Sequence, residues 1–154
     1  MKVIGIDPGL SATGYGIIED NKCISAGTIR SKEKDGHTKI LEICKTIKHL
    51  IDVHKPDMAV LEKVFYHKNI QTLMKSSELR GAIIVTLLEN EMPLSEYAAT
   101  KIKLTTTGNG RASKEQVRYF IEKILTSDKK RVSNHATDAL AIAYTAIQKM
   151  KEMK

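Results

Sequence analysis

Short apolar runs separated by turn residues predict five strands in this 154-residue chain. The predicted strands cover residues 2–7, 14–19, 23–30, 58–61 and 94–97. The first three follow one another with only turns between them, which predicts an antiparallel meander. Apolar residues at helical spacing predict helices over 37–54, 71–91 and 113–125, a short helix at 99–104 and a last helix from Asn134.

This order of elements predicts an α/β fold in which a five-stranded mixed sheet is flanked by helices. The length fits one domain, residues 1–154, and neither an internal repeat nor a linker-like stretch divides it. The helix at 37–54 would be a crossover that makes the strand at 58–61 a parallel neighbour of the first strand.

Two of the helices have predicted apolar sides. In the helix at 113–125, Ser113 is the predicted N-cap, and the residues expected to face inward are Val117, Phe120, Ile121 and Ile124. In the helix at 71–91 the apolar side consists of Leu73, Ile83, Ile84, Leu87 and Leu88. That side is a candidate dimer face, although packing into the core explains most of these residues equally well.

Two apolar strands each end in a carboxylate. The first strand ends at Asp7, before a Pro8-Gly9 turn, and the strand at 58–61 is followed by Glu62. If the two strands are parallel neighbours, both side chains lie at the sheet end where ligands of α/β proteins gather. Two charged carboxylates close together at that sheet end repel each other, and a divalent cation bound between them relieves the repulsion. Alternatively, Asp7 is only an acidic residue of the turn, and Glu62 is only a solvated residue at the end of a strand.

The last helix supplies a third candidate group. His135 and Asp138 are three residues apart and share a helix face, and both are expected in the first turn. Ala136, Ala139 and Ala143 are small enough to let this helix approach the sheet closely, which would bring Asp138 to Asp7. Alternatively, Asp138 complements the helix dipole and His135 is a surface histidine.

Composition excludes several classes of protein. The charge is +7, and no apolar run is long enough to span a membrane. Cys23 and Cys44 are isolated and lack metal-site spacing, which favours a reducing, cytoplasmic setting over a disulfide scaffold.

The positive charge is concentrated in one segment. Residues 98–131 hold nine basic and three acidic residues and carry +6. We expect this surface to bind the phosphates along a nucleic acid. Alternatively, the basic residues form a solvated helix face.

Five segments, in order, strongly resemble the RuvC-type Holliday junction resolvases. They are GIDPGLSATGYGII (5–18), LEKVFYHKN (61–69), SSELRGAII (76–84), EYAATKIKLTTTGNGRASKEQV (96–117) and HATDALAIA (135–143). The resemblance implies an RNase H-like fold and a homodimer that cuts four-way DNA junctions in DNA recombination and repair. It also implies Mg²⁺ or Mn²⁺, with two ions per subunit, and action after the RuvA–RuvB branch-migration complex.

The same resemblance implies roles for particular residues. Asp7, Glu62 and Asp138 match the family's acidic metal site, and His135 stands at a fourth position where many members carry an acid. His135 is therefore either a ligand that suits Mn²⁺ or a general base. Lys103 and Lys114 match basic positions near the scissile phosphate, and Phe65 matches an aromatic residue that stacks on an unpaired base. The remaining DNA contacts expected in the basic segment are Lys101, Arg111 and Arg118.

Three other functions stay open at this point. A strand followed by Asp-Pro-Gly also opens actin-like ATPases and sugar kinases, but those proteins need two such domains. A related nuclease could act on RNA or on simple duplex. A catalytically silent junction-binding protein is the third, and the intact set of acids argues against it.

Overall fold

A computed structural model describes residues 1–64, 69–126 and 132–154. Within these ranges the chain forms five strands and five helices. In chain order they are β1 (Lys2–Asp7), β2 (Thr13–Glu19), β3 (Lys22–Ile29), α1 (Gly36–His54), β4 (Met58–Glu62), α2 (Ile70–Glu89), β5 (Leu94–Tyr97), α3 (Ala99–Thr107), α4 (Lys114–Leu125) and α5 (Asn134–Glu152). Every predicted element is present, and most ends agree to within two residues.

The five strands form one mixed sheet in the order β3-β2-β1-β4-β5. β1 pairs antiparallel with β2 and parallel with β4, which confirms the predicted crossover from the meander into a parallel neighbour of β1. β5 continues the parallel part. The apolar strand β1 therefore lies at the centre of the sheet, with its residues Val3, Ile4 and Ile6 fully buried.

Helices cover both faces of the sheet. Val3, Ile18 and Val60 point to one face and pack with α3, α4 and α5, whereas alternate residues of the same strands pack with α1 and α2 on the other face. This alternation follows from the two-residue period of a strand and explains why the central strands are apolar throughout.

Glycines in β1 and β2 bring α5 unusually close to the sheet. A methyl group on Gly5 would overlap the backbone oxygen of Ala139, and one on Gly14 would overlap that of His135. The small residues predicted on α5, Ala136, Ala139 and Ala143, are fully buried. The contact therefore needs small residues on both sides, and only those on the helix were anticipated.

Helix α2 corrects one sequence prediction. Its buried residues are Leu79, Ile83 and Leu87, whereas Leu88, predicted on the same side, is exposed. The predicted apolar side mixed two faces of the helix, because apolar residues occur both toward the core and toward solvent.

Helix α4 corrects another prediction. Ser113 caps the helix as expected, in a reciprocal pair of hydrogen bonds with Gln116. Val117, Ile121 and Leu125 are buried, but Phe120 and Ile124 are exposed and do not face inward. The buried residues follow a strict four-residue spacing, so the adjacent apolar positions fall outside the narrow contact with α5.

No helix in the described part of the chain is both long and apolar enough to cross a membrane.

The close approach of α5 makes a testable prediction at Gly5. We expect Gly5→Ala to lower the free energy of unfolding by at least about 2 kcal/mol, because the added methyl group meets helix backbone that cannot move aside locally. Urea denaturation followed by circular dichroism measures the loss.

Gly36→Ala is the matched control, since a methyl group there has no neighbour within 4 Å. It should change stability by less than about 1 kcal/mol. Equal effects of the two substitutions would contradict the packing argument.

Candidate active site

The parallel pairing of β1 and β4 places two carboxylates at the same sheet end. Ile6 pairs with Leu61, so that Asp7 and Glu62 are the next residues on neighbouring strands. Asp7 also pairs with Gly14 across the antiparallel side. The juxtaposition expected from the sequence is therefore present, at the carboxyl ends of both parallel strands.

Helix α5 carries Asp138 to this end of the sheet. The helix begins at Asn134, and Ser133 caps it by accepting a hydrogen bond from the Ala136 amide at 3.2 Å. No acidic residue lies in its first turn, so the prediction that Asp138 sits there is wrong. Asp138 is instead one turn further along, where contact between the helix and the glycine-containing strands determines its position.

The three carboxylates line one cavity with two lysines. The cavity has a volume of about 140 Å³, and its polar wall consists of Asp7, Glu62, Asp138, Lys103 and Lys114. Its apolar wall comes from α3, α4 and α5, including Ile102 and Val117. The surface therefore combines hard anionic oxygens with two ammonium groups.

The charges of the site are strongly coupled. Burial, followed by the charges of the Asp138 and Glu62 carboxylates, raises the pKa of Asp7 to about 7, against the opposing effect of Lys114 and Arg118. Burial also raises the pKa of Glu62. Burial and the neighbouring carboxylates thus disfavour the charged form of Asp7, and a bound cation would favour it.

Arg118 and His135 approach the site from α4 and α5. Arg118 donates two hydrogen bonds to Asp138, from Nε to Oδ1 and from Nη2 to Oδ2, each at 3.0 Å. His135 Nδ1 lies 3.9 Å from Asp7 Oδ2, which is too long for a hydrogen bond. Within residues 1–64, 69–126 and 132–154, no three His, Cys, Asp or Glu side chains are arranged to share a metal ion.

Two further residues shape the site and were not anticipated. Arg80 of α2 donates to the backbone oxygen of Glu62 at 2.7 Å and also binds Glu96, so it fixes the end of β4. Buried Thr13 bonds both the amide and the oxygen of Gly9, at 3.2 and 2.8 Å, and closes the turn after Asp7. The sequence alone does not indicate either role, because Arg80 and Thr13 both bond backbone atoms, which any residue type provides.

The expected DNA contacts are not all near the cavity. Arg111 is exposed in the turn between α3 and α4. Lys101 lies beside Lys149 and Glu152 at the far end of α5, and the nearby Lys149 lowers the pKa of Lys101. That position is about 16 Å along the helix from Asp138. Phe65 lies outside the described residues.

The pKa of Asp7 makes stability depend on pH. Folded Asp7 keeps its proton to about pH 7, while the unfolded chain releases it near its ordinary value of 3.8, so stability in a chelator falls as pH rises between these values. The Asp7→Asn substitution removes the titrating carboxyl group and with it this loss of stability. We expect its stability advantage over wild type to grow by roughly 1–3 kcal/mol from pH 5 to pH 8, as measured by thermal unfolding with EDTA.

Asp52→Asn is the control of opposite sign. Asp52 is an exposed α1 residue whose pKa is lowered by its hydrogen bond from Lys48. Its loss should reduce stability slightly at pH 8 and have no effect once the pH falls below the folded pKa. An Asp7→Asn advantage that did not change with pH would contradict the assignment.

Comparison with known proteins identifies the family. The family model for crossover junction endodeoxyribonuclease RuvC matches residues 3–146. The protein of that name from Aliarcobacter butzleri is 38% identical over 154 residues, covering 97% of this chain and 100% of that protein. The one from Salinibacter ruber is 36% identical over 148 residues, covering 93% and 83% of the two chains.

Solved structures share the fold. The structure of T. thermophilus RuvC in complex with Holliday junction substrate has a TM-score of 0.91 at 24% identity, covering 99% of this chain and 96% of that one. The yeast mitochondrial Holliday junction resolvase has a TM-score of 0.70 at 14% identity, covering 98% and 79%. This fold is the RNase H-like fold expected from the sequence. The family match over almost the whole length, together with these relatives, shows that the chain belongs to the crossover junction endodeoxyribonuclease RuvC family of nucleases.

Proposed function

We propose that this protein resolves four-way (Holliday) DNA junctions in recombination and repair by paired, metal-dependent nicks. One observation carries the proposal: Asp7, Glu62 and Asp138 line a single cavity with Lys103 and Lys114, in a chain of the RuvC family. The A. butzleri relative is named as a crossover junction endodeoxyribonuclease, and a structural neighbour was solved with a Holliday junction. These names supply the substrate class that the cavity alone does not specify.

The donor chemistry of the site fits Mg²⁺ or Mn²⁺. Carboxylate oxygens are ligands that suit both ions, and burial beside the Asp138 and Glu62 carboxylates raises the pKa of Asp7, which a bound cation would lower. Asp7, Glu62 and Asp138 would hold the cations, with the His135 imidazole at the border as a fourth donor. We expect two ions per subunit, and when bound they would activate water and stabilise the departing oxygen.

The chain's own groups have separate roles in the reaction. Water attacks the scissile phosphorus and the bond to the 3′ oxygen breaks, which leaves a 5′-phosphate and a 3′-hydroxyl. Lys103 and Lys114 would face the phosphoryl oxygens and offset their growing charge. His135, whose Nδ1 is 3.9 Å from Asp7, would take the proton from the attacking water only where it does not ligate a cation, because a neutral imidazole has a single lone pair for either role.

The DNA would follow the basic segment outward from this cavity. Lys103, Lys114 and Arg118 lie next to the carboxylates, and exposed Arg111 extends the positive surface beyond them. We keep Lys101 as a more distant contact to a junction arm, because it lies beyond reach of the scissile phosphate. Phe65 stays a prediction for stacking on an unpaired base.

We further propose that the protein is a homodimer formed through α2. A stripe on this helix, the α2 stripe, consists of exposed Ile70, Met74, Ser77, Gly81 and Leu88 together with Ile84, which is half-buried. The spacings of four and three residues are those of a helix-pairing seam. Two active sites related by a two-fold axis would match two strand cuts of like polarity.

Gly81 is the strongest support for that face. A glycine within a helix costs about 1 kcal/mol relative to alanine. Nothing in the described protein lies within 4 Å of the place where its side chain would be, so packing inside the subunit does not require it. Close approach of a partner helix would require a glycine at this position.

The cellular setting is also part of the proposal. We expect the protein to act in the cytoplasm, on junctions delivered by the RuvA–RuvB branch-migration complex. The isolated positions of Cys23 and Cys44 along the sequence support a reducing compartment.

Asp7→Asn tests the catalytic assignment. We expect it to reduce cleavage of a labelled four-way junction by at least about 10³-fold while changing junction affinity less than threefold, because it removes a cation ligand and leaves the basic surface intact. Gel analysis of nicking with Mg²⁺ and separately with Mn²⁺ measures the rate, and fluorescence anisotropy measures binding.

An arm-matched linear duplex and an RNA–DNA hybrid are the substrate controls, and Asp52→Asn is the protein control. Wild type and Asp52→Asn should make paired, symmetric nicks near the crossover and leave the linear substrates uncut. Cleavage of the duplex or hybrid would keep the fold and overturn the substrate. Retained cleavage by Asp7→Asn would overturn the active site.

Met74→Glu tests the dimer. Met74 is 61% exposed at the centre of the α2 stripe, so a charge there should weaken association at least tenfold without unfolding the subunit. Sedimentation equilibrium measures the association. Val53→Glu, at a position on α1 that is 57% exposed, is the matched control and should remain dimeric. Equal association by both variants would exclude the α2 stripe.

A further inference from the structure

We infer that Arg118 competes with the cation for Asp138: its guanidinium occupies the carboxylate in the metal-free protein and must be displaced when the cation binds. The inference rests on the proposed function, because it takes Asp138 to be a cation ligand. It gives Arg118 a positioning role that differs from a simple DNA contact.

The contact between the two side chains is a two-point ion pair. Arg118 Nε and Nη2 each lie 3.0 Å from a different oxygen of Asp138, and each side chain is only 21% exposed. Paired donors in this fork geometry are among the strongest contacts that a carboxylate makes. Both hydrogen bonds that the Arg118 guanidinium donates within the described residues go to Asp138.

The same oxygens cannot serve both partners well. The guanidinium takes a lone pair on each Asp138 oxygen, and its own charge repels a divalent cation placed against the same carboxylate. Arg118 thus holds the position that a cation would otherwise neutralise.

A displaced Arg118 side chain would have a second anion to bind, the DNA phosphate near Lys114. It lies four residues after Lys114 in α4, so the two side chains share a helix face, and Lys114 lines the cavity. A released guanidinium would meet the same phosphate that Lys114 faces, and phosphate accepts a fork of two donors as a carboxylate does. Arg118 would therefore move from the Asp138 carboxylate to the DNA phosphate when the cation and the DNA bind.

Mn²⁺ binding to the DNA-free, full-length protein tests the competition without any measurement of cleavage. Free Mn²⁺ is followed by electron paramagnetic resonance during titration of wild type, Arg118→Gln and Lys123→Gln. Removing a competing charge should tighten binding to Arg118→Gln by about tenfold. Lys123→Gln removes the same charge from an exposed position on α4, beside Tyr119, and should bind as wild type does within twofold.

A purely structural role for Arg118 predicts the opposite result. Loss of a structural contact would loosen Asp138 and weaken Mn²⁺ binding, whereas loss of a competitor strengthens it. Thermal unfolding adds a second readout: Arg118→Gln should melt lower than wild type in EDTA, and the gap should narrow at saturating Mn²⁺ because the cation replaces the lost partner. Unchanged or weaker Mn²⁺ binding by Arg118→Gln overturns the inference.

Two additions keep the test decisive if Arg118→Gln does not fold. Arg118→Lys keeps the charge but loses the fork, so its Mn²⁺ affinity should lie between those of wild type and a competitor-free site. In the unaltered protein, the Arg118 Nε–H signal in NMR spectra should move on titration with Mg²⁺, and an unmoved signal at saturation overturns the inference. If wild type and all variants bind no Mn²⁺, the proposed metal site itself fails, and this inference fails with it.

Discussion

The structure depends on the close contact between α5 and the two glycine-containing strands. Gly5 and Gly14 leave no room for a side chain against the backbone of α5, and the alanines of that helix complete the fit. This contact determines where Asp138 lies, because the helix is in backbone contact with the strand that ends at Asp7. The active site is therefore a consequence of core packing, and the residues that set its geometry carry no chemistry themselves.

Burying Asp7 beside two other carboxylates disfavours its charged form and raises its pKa to about 7. The chain offsets part of this effect with Lys103, Lys114 and Arg118. Arg118 is the most engaged of the three, since it is bound to both oxygens of Asp138. These positive groups oppose the effects that raise the pKa values of Asp7 and Glu62.

Helix α2 connects two parts of the molecule that seem unrelated in the sequence. One of its sides reaches Glu62 through Arg80, which holds the end of β4. Gly81 is the next residue and belongs to the α2 stripe on the outer surface. In a dimer joined through this stripe, the interface and the backbone of Glu62 would be separated by the thickness of a single helix.

The sequence by itself determined the elements, their order and the three acidic positions, because strand and helix periodicity and the carboxylates that end apolar runs are local features. The ordered set of motifs also indicated the family. Only the tertiary structure decided which faces are buried: Phe120, Ile124 and Leu88 are exposed although they are as apolar as their buried neighbours. It also decided that Asp138 pairs with Arg118 and that Arg80 supports Glu62. These features join residues 18 or more positions apart through backbone atoms and side-chain geometry, so no periodic pattern in the chain encodes them.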